Sequence, residues 1–357
     1  MGWFLFRVTP LLNRPDKMVL YFGNMLSRHG KSPALMELVV PKLGESIEIK
    51  AFSNKKTQLG RIINMVSALL LYRNKCALVI IDTFSTKAFW YCYIISMLCR
   101  LFRIPYLPVL HGGLFESRLQ KEPKMSRQVF SNSAANISPS LFLKEVFERY
   151  GYKVIYIPNF INLDQYPFGD RKKLKPNLLW VRAFHKIYNP GMAIRVVKEL
   201  VEKWPEVSLT MVGADKDGSL LEAKQLAKEL GVENNLKFTG YLSKADWITR
   251  SSQNDFFINT TTADNMPVSV MEAMALGLVI ISTNVGGIPF LLKDRINAYL
   301  VDSNDSKAMA NQISFLLSRS AVGLEVATNA RKQSEAFSWD KVGKQWLSVV
   351  EEYKRAR

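Results

Sequence analysis

Short apolar runs alternate along this chain with longer segments in which apolar positions recur at helical spacing, and the alternation falls into two series. In the first, MVLYF (18–22), ALVIIDT (77–83), PYLPVLHGG (105–113), ANISPS (135–140) and KVIYIP (153–158) read as strands. Helical patterns over 59–72, 87–102 and 140–149 lie between them. In the second, NLLWVR (177–182), VSLTMVG (207–213), NLKFTG (235–240), DFFINTT (255–261), LVIISTN (278–284) and AYLV (298–301) are strands. Helices are predicted there over 190–203 and 220–230, the latter closed by Gly231, which is free to take the left-handed conformation that ends helices. Strands alternating with helices predict parallel sheets wrapped by helices, an α/β class.

The stretch PNFINLDQYPFGDRKKLKPN (158–177), rich in Pro, Asn and charge, separates the series and reads as a linker. The implied domains are 1–165 and 166–337. Each is of ordinary size, and together they cover residues 1–337 of the 357. Two such sheets facing one another would turn their strand C-termini toward a shared ligand. The last segment, 338–357, is an amphipathic helix with Trp339, Val342, Trp346, Val349 and Val350 on one face.

Composition changes this picture in three ways. With 48% hydrophobic residues the chain can fill full cores, which excludes a disordered class. The formal net charge is +17, and residues 1–170 carry 22 Lys and Arg against 11 Asp and Glu. This excess admits an anionic partner, whether a nucleotide, an acidic glycan or an anionic membrane surface. It is not a nucleic-acid signature, because no nucleic-acid-binding motif accompanies it. Cys76, Cys92 and Cys99 are too few and too irregularly placed for a disulfide framework or zinc site, which fits a reducing cytoplasm. The N-terminal MGWFLFRVTPLLN lacks a basic n-region and a small-residue cleavage site, so it is not read as a signal peptide. The most apolar run, 88–98, is too short to span a bilayer and is followed by Arg100 and Arg103. It reads as a buried helix or as one lying on a membrane surface.

Candidate chemistry concentrates in NTTTADNMPVSVMEAMALGLVIISTNVGGIP (259–289). Pro267 suits the first turn of a helix and Gly277 its end, and between them only Ser269 and Glu272 are polar. No Lys or Arg lies three or four residues from Glu272. A carboxylate on so apolar a helix must meet a ligand in a cleft or a base brought from elsewhere in the fold. Asp264 stands eight residues earlier, in the loop before the helix. Gly286 and Gly287 follow the next strand, where backbone amides and a helix N-terminus can approach an anion.

This run resembles the paired-acid signature and glycine turn of the large GT-B family of retaining, nucleotide-sugar-dependent glycosyltransferases. The usual frame is a Glu, a Gly-Phe-Pro-like triplet and a Glu-Ala-Met-Ala helix; here it reads Asp264-Asn265-Met266-Pro267 and Glu272-Ala273-Met274-Ala275. Aspartate replacing the first glutamate is a departure, shorter by one methylene. The resemblance implies two Rossmann-like domains facing across a cleft, with the final helix crossing back onto the first. It implies that Glu272 binds the donor ribose hydroxyls, and that Asp264, with the amides of Asn265 and Met266, meets the transferred sugar. In VRAFHKIYNP (181–190), Arg182 matches the family's strand-end arginine on the donor diphosphate. Lys186 is four residues on, where five is usual. His111, before Gly112 and Gly113 at a strand end, resembles the family's histidine near the transferred sugar. Gly23-Asn24 resembles its glycine-containing loop.

Asp82-Thr83 and Ser85-Thr86, also at a strand end, are candidates for the acceptor side, and Ser138-Pro139-Ser140 reads as a helix cap. The implied donor is a UDP- or GDP-sugar, with a glycan or lipid-linked acceptor, no cofactor and no metal. The implied location is cytoplasmic, or peripheral at the inner face of the plasma membrane. Rival readings are a nucleotide-sugar epimerase on the same fold and an inactive nucleotide-sugar-binding protein.

Overall fold

The two series of apolar runs form two six-stranded parallel sheets. The computed structural model describes residues 18–25, 34–169 and 171–355; the N-terminal apolar segment lies outside them. In the first sheet β1 is Met18–Phe22, β2 Ile49–Phe52, β3 Cys76–Phe84, β4 Tyr106–His111, β5 Asn136–Ser138 and β6 Val154–Tyr156, in the order β2-β1-β3-β4-β5-β6. Strand β3 is central, and its residues 76–81 are continuously apolar because both its faces are covered. Val79 and Ile81 pack toward helices α2 (Gln58–Tyr72) and α3 (Phe89–Leu101). Leu78 and Ile80 pack toward α1 (Leu35–Leu43) and the C-terminal helix. This division follows from right-handed crossovers, since α2 and α3 step across the sheet in one direction and α1 in the other.

The sequence reading gives this sheet five strands; the sixth, β2, is an edge strand. Its residues IKAF are only partly covered and include a lysine, so the apolar signal is weak. Helices α4 (Phe115–Lys121), α5 (Pro123–Phe130) and α6 (Leu141–Arg149) complete the first layer, with Ser140 capping α6 through the Leu143 amide.

In the second sheet β7 is Asn177–Val181, β8 Ser208–Val212, β9 Leu236–Gly240, β10 Phe256–Asn259, β11 Val279–Thr283 and β12 Tyr299–Val301, in the order β12-β11-β10-β7-β8-β9. Connections run outward in opposite directions from β7 and β10. This is the topological switch point of a dinucleotide-type fold, where a crevice opens beyond the strand C-termini. Around it pack α7 (Pro190–Val201), α8 (Ser219–Glu229), α9 (Lys244–Ser251), α10 (Val268–Ala275), α11 (Ile288–Leu291), α12 (Ser306–Ser318) and α13 (Ser320–Ser334). Gly231, at φ +65°, ends α8.

The two crossings between the sheets lie side by side. Ile161 bridges Ser338, its amide donates to the Phe337 carbonyl at 2.9 Å, and Phe160 meets Trp339 at 4.8 Å between ring centroids. Helix α14 (Trp339–Arg355) then packs on the first sheet, burying Val342, Trp346 and Val350 against Val19, Tyr21 and Leu78. Trp346 is fully buried, with its ring 6.5 Å from that of Tyr21. Trp346→Ala is expected to destabilise the first domain by about 3–5 kcal/mol, read as a lower urea midpoint. A change below about 1 kcal/mol would mean that α14 is not needed to close this core.

Candidate active site

The crevice at the second switch point is built by the loops after β7 and β10. Three consecutive threonines stitch these loops together. The Thr260 hydroxyl accepts from Trp180 Nε1 at 3.0 Å and donates to the Tyr188 and Asn189 carbonyls. The Thr261 hydroxyl and the Thr262 amide both reach the Ile187 carbonyl. Thr283, at the end of β11, donates to the Thr261 carbonyl at 2.6 Å. A polar run directly after a buried strand thus satisfies backbone carbonyls of the loop after β7 where neither chain continues as sheet.

Arg182 and Asp264 form an ion pair across these two loops, each side chain about one-seventh exposed. The Arg182 guanidinium also stacks 4.7 Å over the Tyr188 ring, which fixes its plane. Its Nε is buried and has no hydrogen-bond partner. Gly213, after β8, lets the neighbouring strand approach here: a Cβ at this position would lie 1.8 Å from the Arg182 carbonyl oxygen.

Gly286 and Gly287 meet backbone. A Cβ on Gly286 would fall 2.2 Å from the Asp264 carbonyl oxygen, and one on Gly287 1.7 Å from that of Asn265. The sequence reading turns the amides of this glycine pair toward an anion. In the structure the Gly287 amide donates to the Asp264 carbonyl at 2.9 Å, so its hydrogen bond holds the loop that carries Asp264. The Asn265 amide is likewise taken, by Asp264 Oδ1 at 2.8 Å.

Glu272 sits on α10, buried at 5% exposure, and the base absent from its own helix comes from elsewhere in the fold. Its Oε1 accepts from the Tyr166 hydroxyl at 2.7 Å and lies 2.7 Å from Lys244 Nζ, whose side chain is half exposed. Burial, reinforced by the Glu272 charge, pushes the Tyr166 phenol far above its ordinary range, so it stays a donor. Neither partner was singled out in the sequence. Tyr166 lies in the segment read as linker and Lys244 opens an amphipathic helix, so no spacing ties either to Glu272.

The first domain brings its own strand ends to the same junction. His111 closes β4, and its Nε2 lies 2.9 Å from Asp82 Oδ1 on β3. Asp82 is buried and also accepts from the Tyr21 hydroxyl at 3.0 Å, while its Oδ2 has no hydrogen-bond partner. Gly23 makes room for that carboxylate, since a Cβ there would lie 2.3 Å from Oδ2. Phe84 stacks on the imidazole at 5.1 Å, fixing its orientation from the other side. Two residues on, Gly113 passes so close to Asp264 that an added Cβ would lie 3.7 Å from its carbonyl carbon. Ser140 donates to the Asn265 side chain, Asn159 Nδ2 donates to the Met266 carbonyl at 3.3 Å, and Phe142 meets Phe290.

His111, Arg182, Asp264, Asn265, Met266 and the glycine pair therefore converge where the two sheets meet. Lys186 stands apart. It opens the one-turn helix Lys186–Tyr188, and its ammonium lies 3.4 Å from Glu222 of α8 on an exposed surface. Its amide and the Ser219 hydroxyl both bond Asp217, and these bonds, the Ser219 hydroxyl foremost, hold that carboxyl down at about 2. His185 caps the turn, accepting from the Ile187 amide. Among the described residues no group of three or more His, Cys, Asp or Glu could hold a metal ion.

Tyr166→Phe removes one of two partners of a buried carboxylate. It is expected to lower stability by about 1.5–3 kcal/mol in urea unfolding near pH 7. Because the folded phenol ionises above its unfolded value of about 10, the stability this group contributes is present below that pH and lost as pH rises above it. The alkaline decline should be shallower in the variant, and equal slopes would place Tyr166 outside this linkage.

Comparison with known proteins matches residues 166–334 to the family model described as glycosyl transferases group 1. An uncharacterized glycosyltransferase of Haemophilus influenzae is 25% identical over 44% of this chain and 44% of its own length. Spore coat protein SA of Bacillus subtilis is 27% identical over 50% of this chain and 49% of its own. D-inositol 3-phosphate glycosyltransferase of Corynebacterium urealyticum is 23% identical over 48% and 41%. The chain thus spans less than half the length of these curated relatives. Among solved structures, Anabaena HepE in complex with UDP and glucose superposes with a TM-score of 0.72 at 16% identity, covering 94% of this chain and 99% of that one. Sucrose-phosphate synthase of Thermosynechococcus elongatus gives 0.78 at 15% identity, covering 95% and 99%. Residues 166–334 thus match the glycosyl transferases group 1 model, and they form the second of the two facing Rossmann-like sheets of a GT-B fold.

Proposed function

We propose that this chain is a retaining glycosyltransferase that moves a sugar from a UDP- or GDP-linked donor to a glycan or lipid-linked acceptor, with no further cofactor. The observation that carries the reading is the Arg182–Asp264 pair at the switch point of the second sheet, directly opposite the strand ends of the first. An anionic ligand entering this crevice meets a guanidinium already held in plane by Tyr188. Charge-assisted bonds to phosphate are strong, and a preoriented donor loses little in reorganising. HepE has also been crystallised with UDP-glucose, at a TM-score of 0.73 to this chain, which supports a nucleotide-sugar ligand for the same fold.

In this reading Arg182 carries the donor diphosphate, and Asp264 turns to the sugar hydroxyls once the phosphates compete for its partner. Glu272, held in place by Lys244 and Tyr166, takes the ribose hydroxyls. His111, oriented by Asp82, faces the transferred sugar from the first domain. The bond from the anomeric carbon to the phosphate oxygen breaks as the acceptor oxygen bonds that carbon on the same face. The acceptor proton passes to the departing phosphate, so two carboxylates in the site do not imply the acid–base pair of a glycosidase.

Thermal-shift measurements against UDP, GDP, ADP and their sugar conjugates test the reading. One nucleotide family should stabilise the protein. Arg182→Ala and Glu272→Ala should each weaken that binding at least tenfold, about 1.4 kcal/mol, while remaining folded. Proton NMR of the product should show the transferred sugar in the donor's anomeric configuration. An inverted product, or wild-type turnover in Glu272→Ala, would overturn the assignment.

A further inference from the structure

Helix α2 is fifteen residues long, and its only charged side chain, Arg61, is turned inward. Arg61 is buried, donates to Asn24 Oδ1 at 3.0 Å and stacks over Tyr91. A helix on the surface of a soluble domain ordinarily presents charged and polar residues outward. Here the outward positions are mostly apolar: Leu59, Ile63, Leu70 and Leu71 are exposed, Leu59 at 68% and Leu71 at 75%, beside the uncharged Gln58 and Ser67. Helix α3 repeats the arrangement alongside it. Phe89, Cys92, Ile95 and Cys99 face the core, while Trp90, Met97 and Leu101 face outward, Trp90 51% and Leu101 71% exposed. Both helices cover the same face of the first sheet and touch each other.

The charge around these stripes has one sign. Between residues 49 and 115 the sequence holds nine Lys and Arg and one acid, Asp82, which is buried in the sheet. Lys55, Lys56 and Lys87 stand exposed at the N-terminal ends of the two helices, and Arg100 and Arg103 at the C-terminal end of α3. The next acids along the chain, Glu116 and Glu122, pair with Arg149 and Arg118. No helix among the described residues is long and apolar enough to cross a membrane. An apolar stripe with an interfacial tryptophan and a cationic border suits a helix seated in the headgroup region of an anionic bilayer.

We propose that the outer face of α2 and α3 docks this protein on an anionic lipid bilayer, with Leu59, Ile63, Trp90 and Leu101 inserted among the acyl chain ends and the bordering lysines and arginines on the lipid phosphates. The helices start at the strand C-terminal end of the sheet, so the docked face runs up to the rim of the domain junction. A second copy of this chain would have to bring acidic groups to the border, whereas a bilayer rich in anionic headgroups supplies them everywhere. The inference does not depend on the proposed reaction, because none of these side chains lies in the donor site.

Sedimentation with vesicles of phosphatidylglycerol and phosphatidylcholine, against phosphatidylcholine alone, tests it. The wild-type chain is expected to bind the anionic vesicles at least tenfold more tightly. Brominated acyl chains should quench a component of its tryptophan emission that is missing in Trp90→Phe. Leu59→Ser combined with Ile63→Ser should cut vesicle binding at least tenfold without lowering the melting temperature or altering nucleotide-induced stabilisation. Undiminished binding in that double variant would reduce the interaction to surface charge and overturn the proposal. So would absence of wild-type binding, or a concentration-dependent dimer in sedimentation velocity that the same substitutions abolish.

Discussion

Helix α10 is buried from its second residue onward and carries a single ionisable group, so the cost of desolvating Glu272 sets the terms for the structure around it. A lone buried carboxylate is met here by a phenol from the domain crossing and an ammonium from α9. The opposite end of the helix has a matching arrangement. Arg171 donates to the carbonyls of Leu276 and Gly277, and Arg331 to that of Ala275, placing two cations on the negative end of the helix dipole. Arg171 also pairs with Asp255 at 3.1 Å, which offsets part of the burial that lowers its own proton affinity. One short helix is thus gripped by Tyr166 and Arg171 from the crossing, Lys244 from α9 and Arg331 from α13.

That grip positions the loop in front of α10. With the helix fixed, Asp264, Asn265 and Met266 have little freedom, and the glycines around them let backbone come within contact distance. Gly286 and Gly287 close on the loop from the second domain, and Gly113 reaches it from the first. The same loop therefore carries the acidic side chain that pairs with Arg182 and forms much of the polar contact between the domains, through Ser140 to Asn265 and Asn159 to Met266. A ligand that drew Arg182 away from Asp264 would act on this loop and, through it, on the domain junction.

Much of the architecture is legible without coordinates. Strands such as 77–83 and 278–284 are continuous apolar runs because parallel strands between helix layers are buried on both faces. The position of Asp264, Asn265 and Met266 just before a helix, and of Arg182 at a strand end, follows from the same pattern. Strand β2 escapes it, since a half-covered edge strand need not be apolar. The run 88–98 left two readings, core helix or surface helix, and α3 has both characters, with one apolar face inside and one outside.

The sequence alone determined every strand except β2, several of the helices, where the chain divides into two sheets, and which loops carry polar groups at strand ends. These depend on local periodicity and on turn residues, whose physics extends over a few neighbours. Tertiary structure alone decided the partners. Tyr166 and Lys244 reach Glu272 from 106 and 28 residues away, and Asp82 reaches His111 from another strand. It also decided that the Gly287 amide bonds a carbonyl and that Lys186 pairs with Glu222 on the surface. Desolvation and hydrogen-bond geometry act through space at a few ångströms, and the distances they depend on exist only once the sheets have stacked their loops together.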